Sequence, residues 1–142
     1  MKTILIAAVP AAVAVIANAL GSVARMMTAH TLEEALEAAA TGVDLIIAGT
    51  YFDNGRMFDL LKRLKAGAPT RNTPVLCVRG VSAPDLLEAQ TSQPTLASLQ
   101  VVASASEALG AAGFVDHFAR QQAVGTARAN AELLDAVRRQ LR

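Results

Sequence analysis

The strongest constraint on the fold is a short, wholly apolar run that is followed closely by an amphipathic helix. The run, Leu45 to Ala48, lacks the polar alternation expected of a strand with one face in water. A loop, 49–55, separates it from the segment 56–66. One helical face of that segment carries the apolar residues Met57, Leu60, Leu61 and Leu64. A strand covered on both faces and a one-sided helix together favour a parallel sheet layered between helices.

The same alternation of strands and helices extends over most of the chain. Aliphatic or β-branched runs predict four further strands, at 4–6, 23–28, 75–78 and 113–115. Helical patterns cover 11–20 up to Gly21, 32–39 and 130–141. Thr31 and Glu34 have the spacing of a capping box at the start of the second helix. The pattern predicts an α/β fold with a parallel sheet, in a single domain spanning 1–142.

Two segments have a less regular pattern. Between 80 and 113, Leu86 and Leu87 predict a short helix, and a longer one is predicted by Leu96, Leu99, Ala103 and Leu109. The pair Val101-Val102 is equally compatible with a strand, because two adjacent apolar residues do not define a period. Residues 119–129, rich in Ala, Gln and Arg, are expected to form a loop or a frayed helical turn.

Charge and cysteine content exclude several classes of function. Thirteen basic against 12 acidic residues give a net charge of +1, so we expect neither a nucleic-acid partner nor attraction to an anionic membrane. Cys77 is the only cysteine, which excludes an internal disulfide and a cysteine-cluster metal site. A reduced, cytoplasmic location fits this content. No phosphate-binding glycine motif and no convergent catalytic set occurs, so neither a cofactor nor an enzymatic activity is expected.

The first twenty residues have two readings. Met1-Lys2, an apolar stretch and Ala17-Asn18-Ala19 have the layout of a secretory signal peptide. Pro10 interrupts that stretch, however, and the same residues supply the first strand and helix of the α/β pattern. We therefore favour a folded segment over an exported leader.

The segment from Asp44 to Leu64 resembles the receiver domains of response regulators in two-component signalling. Asp-Leu-Ile-Ile leads through a loop containing Gly55 into Phe-Asp-Leu-Leu-Lys-Arg-Leu, and the resemblance extends from Lys2 to about Gly80, with a weaker return at 113–118. It implies a doubly wound, flavodoxin-like (βα)5 fold with a five-stranded parallel sheet and helices on both faces.

The resemblance also implies functional positions, and this chain departs from the family at each of them. The acidic pair that holds Mg²⁺ aligns with Ala7 and Ala8, and the phosphate-accepting Asp aligns with Gly49. The phosphate-sensing Thr or Ser aligns with Arg79, and the Lys after the fifth strand with His117. Because phosphoryl transfer depends on a metal and positioned charges, these degenerate positions predict a pseudo-receiver without metal or phosphorylation.

Two functions follow from that interpretation. The first is a signalling module that binds a protein partner through its first helix or through the side formed by its fourth and fifth helices. The second is a small-molecule or anion sensor that uses the vacated space near Ala7, Gly49 and Arg79. Arg79 is the candidate anion or partner contact, and Asp53 is its expected intramolecular partner.

Three further features have a functional and a structural interpretation. Asp53-Asn54-Gly55 suits an ordinary turn better than a displaced phosphate acceptor. His30 and His117 are expected to be surface or hydrogen-bonded histidines, because no matching nucleophile or metal motif accompanies them. The first helix is apolar all round except at Asn18, which predicts either a homodimer through that helix or a surface of weakly apolar alanines.

Overall fold

The computed structural model describes residues 1–81 and 96–142. In these residues a five-stranded sheet is formed by β1 (Thr3–Ala7), β2 (Arg25–Ala29), β3 (Leu45–Gly49), β4 (Val75–Arg79) and β5 (Gly113–Asp116). The strand order is β2-β1-β3-β4-β5, and every neighbouring pair is parallel. This confirms the predicted flavodoxin-like α/β fold.

The helices connect successive strands and cover both faces of the sheet. They are α1 (Pro10–Leu20), α2 (Leu32–Ala40), the short turn α3 (Phe52–Gly55), α4 (Met57–Ala66), α5 (Leu96–Ala108), α6 (His117–Val124) and α7 (Thr126–Leu141). Alternate strand residues supply two cores. Leu5, Ile46 and Cys77 pack with α2 and α4 on one face, whereas Ile4, Ile47 and Val78 pack with α1 and α7 on the other.

Local chemistry explains where two of the helices begin. Pro10 occupies the first turn of α1, where its missing N–H costs no helical hydrogen bond. Thr31 caps α2, and its hydroxyl oxygen accepts a hydrogen bond from the Glu34 backbone N–H at 3.1 Å. The Glu34 carboxylate accepts in turn from the His30 N–H at 2.9 Å, one residue earlier than a capping box requires. The predicted cap is confirmed, with this shift.

The least regular segments of the sequence are also those where the predictions were wrong. Val101 and Val102 lie in helix α5, so the strand alternative is incorrect. Residues 119–129 are mostly helical, because Asp116 caps α6 by accepting from the Ala119 N–H at 3.0 Å and Gly125, at φ 90°, separates α6 from α7. The last helix therefore begins at Thr126 rather than at Asn130. The short helix predicted at Leu86 and Leu87 lies outside the described residues.

The N-terminal residues have the folded role expected of them. Ile4, Leu5 and Ile6 are fully buried in the sheet, and Ile16 is fully buried beneath α1. Among the described residues, no helix combines the length and apolar character needed to cross a bilayer.

Candidate functional site

The carboxyl ends of the strands meet at one edge of the sheet, which we call the carboxyl edge. The order of the strands reverses between β1 and β3, and ligands of open α/β sheets bind at such a switch point. Ala7 ends β1, Gly49 ends β3 and Arg79 ends β4, so the structure brings three of the predicted positions to this edge.

Gly49 and Ala8 are in close contact at the switch point. A Cβ atom placed on Gly49 would lie 2.9 Å from the Ala8 Cβ and 3.3 Å from the Ala8 Cα. Both distances are shorter than an ordinary carbon–carbon contact, and Ala7 and Ala8 are fully buried. A side chain at the position aligned with the phosphate acceptor would therefore require Ala8 or the Gly49 backbone to shift.

The contact narrows the space expected between Ala7 and Gly49, because the Ala8 methyl group and backbone lie against the Gly49 Cα. The positions aligned with the metal ligands supply only buried methyl groups and no side-chain oxygen, so they do not fit the Mg²⁺ ion that the receiver fold implies.

Arg79 pairs with Asp116 at the other half of the carboxyl edge. Their strands are adjacent and in register, and the Arg79 Nη1 donates to both carboxylate oxygens of Asp116, at 3.2 and 3.1 Å. The Arg79 guanidinium also lies over the Phe118 ring, 4.8 Å from its centroid. The Arg79 side chain is 6% exposed and that of Asp116 19%, so this ion pair is largely removed from water.

The expected Arg79–Asp53 pair was wrong, because Asp53 is engaged elsewhere. Its carboxylate accepts from the Leu32 N–H at 2.8 Å, at the start of α2, and lies 3.8 Å from the Arg56 Nη1. Asp53, Asn54 and Gly55 have φ angles of 45°, 59° and 85°. Asp and Asn tolerate this left-handed region and Gly favours it, which confirms the turn interpretation.

His30 links the end of β2 to the end of β1. Its Nδ1 lies 3.0 Å from the Ala8 carbonyl oxygen, which can only accept, so Nδ1 carries a proton. The bond fixes the backbone at Ala8 from the side opposite Gly49. His30 is thus a hydrogen-bonded residue, as predicted, and its bond holds the Ala8 backbone in place at the switch point.

His117 is fully buried at the first position of α6. Its Nε2 lies 2.9 Å from the Gln121 side-chain amide nitrogen, a donor, so Nε2 accepts and the ring is neutral. Burial lowers the pKa of His117, and the nearby Asn130 side chain, the Ala129 carbonyl and the carboxylates of Glu132 and Asp116 only partly offset that effect. His117 therefore contributes to packing between α6 and α7 as a neutral ring.

Cys77 lies in β4 and is fully buried. Burial raises the pKa of its thiol to about 11, although a contact with Ser106 lowers it slightly. At neutral pH the residue is a protonated thiol, so it packs in the core and does not act as a nucleophile.

Sequence reasoning missed Asp116 and Phe118, the residues that surround Arg79. The parallel pairing of β4 with β5 brings Asp116 beside Arg79, at a separation of 37 residues along the chain. The only signal in the sequence was the position of Asp116 directly after the predicted strand 113–115, which in the structure extends to Asp116. A one-residue error in the end of that strand was enough to hide it.

Comparison with solved structures shows which known proteins have a similar fold. No protein-family model matches the chain, and neither does any curated protein. A response regulator from Chloroflexus aurantiacus has a TM-score of 0.70 at 19% identity, over 99% of this chain and 97% of that chain. The chemotaxis response regulator CheY4 of Vibrio cholerae has a TM-score of 0.66 at 19% identity, over 99% of both chains.

A third similar structure is the phosphorylated cyanobacterial phytochrome response regulator RcpA. Its TM-score is 0.66 at 14% identity, over 95% of this chain and 90% of that chain. Identities this low establish a shared fold and leave the chemistry of each site to its own residues. The chain therefore has the fold of response-regulator receiver domains.

Proposed function

We propose that this protein is a receiver-like signalling module that binds a protein partner and is not switched by phosphorylation. The observation that carries the proposal is the contact between Gly49 and Ala8, at the position where the resemblance implies the phosphate acceptor. Glycine offers no side-chain oxygen to phosphorylate, and a Cβ there would lie 2.9 Å from the Ala8 Cβ, so a side chain would require Ala8 or the Gly49 backbone to shift.

The Arg79–Asp116 ion pair supports the same proposal. A receiver is switched when a new phosphoryl charge changes the contacts of nearby groups. Here the Arg79 guanidinium is already held by a carboxylate and an aromatic ring, both from the β5 side of the edge. The edge then keeps one arrangement, and the signal depends on whether the partner is present.

Helix α5 is the better candidate for the partner surface. Val101 is 67% exposed, and Gln100, Ser104, Ala105 and Ala108 line a shallow depression beside it. The exposed residues of α1 are mainly small, at Ala11, Ala14 and Asn18, whereas Val13 packs on the core. An exposed branched side chain next to a small-residue depression can be covered by a partner's apolar side chain.

Two observations weigh against the alternative of an anion sensor. The Ala8 methyl group lies against Gly49 at the switch point, and Asp116 neutralises Arg79. An anion would therefore compete with an in-place carboxylate. The alternative predicts that an anion raises the melting temperature of the wild type and not that of Arg79→Ala, so equal shifts in both would end it.

Phosphorylation is tested by incubating the protein with acetyl phosphate and Mg²⁺ and measuring the intact mass. We expect no covalent phosphate. A stoichiometric adduct would contradict the proposal, and the variant Asp53→Asn would then show whether Asp53 is the acceptor.

The partner surface is tested by affinity purification from extract of the source organism, with bound proteins quantified by mass spectrometry. Val101→Asp places a charge on α5, and Ala14→Asp places the same charge on α1 as a matched variant. We expect a protein that is retained by the wild type and by Ala14→Asp and is lost with Val101→Asp. Loss with Ala14→Asp alone would move the surface to α1, and specific retention of nothing would count against a binding module.

Self-association through α1 is a separate part of the proposal. Light scattering over a range of concentrations would detect a dimer, and Ala14→Asp should dissociate it. A wild type that stays monomeric throughout would remove the homodimer.

A further inference from the structure

Charged residues are distributed unequally between the two edges of the sheet. Within residues 1–81 and 96–142 the ion pairs are Arg56–Asp53, Arg79–Asp116, Arg120–Glu132 and Arg128–Glu132. All of these residues follow β3, end β4 or β5, or lie on α6 and the first half of α7. The ion pairs are therefore concentrated at the carboxyl edge and its flanking helices.

The opposite edge carries basic side chains without such partners. We call Lys2, Arg25, Arg138, Arg139 and Arg142 the basic edge. All five are exposed, and none has a carboxylate within ion-pair distance among the described residues. The overall charge of +1, from which no attraction to an anionic membrane was expected, does not show this local group of basic side chains.

The fold brings these five residues together from distant parts of the sequence. Lys2 precedes β1 and Arg25 begins β2, and the Arg25 N–H donates to the Lys2 carbonyl at 2.8 Å. The last turn of α7 reaches the same edge, because Ala129 and Asn130 lie beside His117 at the carboxyl edge and the helix continues about 16 Å beyond them along the sheet, where Leu141 packs. Adjacent strands lie about 4.8 Å apart and a helix is about 10 Å wide, so the group fits a patch roughly 20 Å across.

Exposed carboxylates also lie toward this edge. Asp44 precedes β3, and its carboxylate accepts a hydrogen bond from the Thr3 N–H at 2.8 Å. Asp135 is exposed one turn before Arg138 and Arg139 on α7, and Glu37 is exposed in the last turn of α2. The five basic side chains still outnumber these three carboxylates. Arg138 and Arg139 also offset the negative end of the α7 dipole, but Lys2 and Arg25 lie at strand starts, where that explanation does not apply.

We propose that the basic edge attaches the protein reversibly to an anionic lipid surface. All five residues lie on or beside elements that begin or end at the amino edge of the sheet, so they can face one flat surface together. No aromatic side chain is present among the five to stack on an unpaired base. Clusters of four to eight basic residues attract anionic lipids, and the attraction decays within a Debye length of the surface.

The proposed attachment is independent of the proposed function. The basic edge lies at the opposite end of the sheet from Gly49 and Arg79, and it does not include Val101 on α5. A protein held by its amino edge would keep its carboxyl edge and α5 free for a partner. Failure of either proposal therefore leaves the other intact.

The test is cosedimentation of the whole chain with vesicles of phosphatidylcholine that contain about a quarter phosphatidylserine. The variant Arg138→Gln/Arg139→Gln removes two charges from the basic edge. Its control, Arg120→Gln/Arg128→Gln, removes two charges from the paired region on α6 and α7. Thermal unfolding of each variant would verify that both remain folded.

We expect wild type and control to bind these vesicles in low salt, and the Arg138/Arg139 variant to bind about tenfold or more weakly. Raising the salt from about 0.05 M to about 0.3 M should release the wild type. The proposal is overturned by absence of wild-type binding, by equal weakening in both variants, or by equal binding to pure phosphatidylcholine. Binding to a DNA duplex in preference to the vesicles would also overturn it.

Discussion

The carboxyl edge has two halves, one between β1 and β3 and one between β4 and β5, and different kinds of contact fill them. Between β1 and β3 the contact is steric, because Gly49 lies against the buried Ala8. Between β4 and β5 it is electrostatic, because Arg79 and Asp116 neutralise each other in a largely dry site. At the first half, a larger side chain at Gly49 or Ala8 should destabilise the protein. At the second half, removing either Arg79 or Asp116 should destabilise it, because the other charge is left buried.

The comparison teaches that one edge of a receiver-like sheet can be filled by two kinds of contact, one steric and one electrostatic. A phosphate site must leave room for a ligand and keep charges available for it. Here each half is occupied by groups of the chain itself, although the Arg79 Nε is buried without a hydrogen-bond partner. Substitutions that change one half at a time test whether the two differ in this way.

The largest effect is expected from Gly49→Asp, which restores the acidic side chain that the resemblance implies. The new Cβ would collide with Ala8 and its carboxylate would be buried without a partner, so we expect a loss of about 4 kcal/mol in the free energy of unfolding. Chemical denaturation would measure it, with Gly80→Ala as control, since a Cβ there meets Ile16 at an ordinary 3.5 Å.

A double-mutant cycle would show whether Ala8 is the cause. The variant Gly49→Ala should be less damaging than Gly49→Asp, and adding Ala8→Gly should recover part of its loss because the colliding methyl group is removed. If the two substitutions were additive, the steric account of this half of the edge would be wrong.

A smaller loss, about 3 kcal/mol, is expected for Asp116→Ala. It leaves the Arg79 guanidinium largely buried without its carboxylate and removes the cap that accepts from the Ala119 N–H. Replacing both partners, as in Arg79→Met/Asp116→Leu, should recover much of the stability, because no buried charge then remains. Equal stability of Asp116→Ala and wild type would show that the pair contributes little.

Acidic pH is expected to lower the free energy of unfolding through His117, which follows Asp116 at the start of α6. Burial lowers the pKa of His117 below 6.5, so the unfolded chain takes up a proton before the folded one does. The contribution of His117 is complete above pH 6.5 and is lost as the pH falls through its folded pKa. Unfolding free energies measured against pH should show this loss in the wild type and in His30→Gln, and its absence in His117→Gln.

The smallest effect is expected for Arg120→Gln, at the exposed ion pair between α6 and α7. The pKa of Glu132 is lowered chiefly by its hydrogen bond from Arg120, so it should return toward its ordinary value in the variant. Both groups are solvated, so we expect no measurable change in stability. A clear destabilisation would mean that this pair, and not the packing of His117, holds α6 against α7.

Prediction from sequence was most accurate where a local pattern determines the structure. The apolar run at β3, the Thr31 cap and the turn at Asp53 are decided by neighbouring residues, and each was predicted correctly. The region from α5 to α7 was predicted less well. The sequence of α5 has weak helical periodicity, and α6 depends on the Asp116 cap and on burial of His117.

The candidate site shows the same division. Alignment with the receiver pattern gave the positions of Gly49 and Arg79 at the ends of β3 and β4. The alignment did not show which groups Gly49 and Arg79 contact. Ala8 lies against Gly49, and Asp116 takes the place expected for Asp53 beside Arg79, because both contacts depend on how separate strands are brought side by side.

By itself, the sequence determined the element types, the receiver-like order of strands and helices, and the absence of acidic residues at Ala7, Ala8 and Gly49. These follow from residue identity and short-range periodicity. Only the tertiary structure decided which groups meet: Ala8 with Gly49, Arg79 with Asp116, and Lys2 with Arg25 at the basic edge. The physical reason is that sheet register and helix packing set distances between residues far apart in the chain, and those distances decide steric fit and charge pairing.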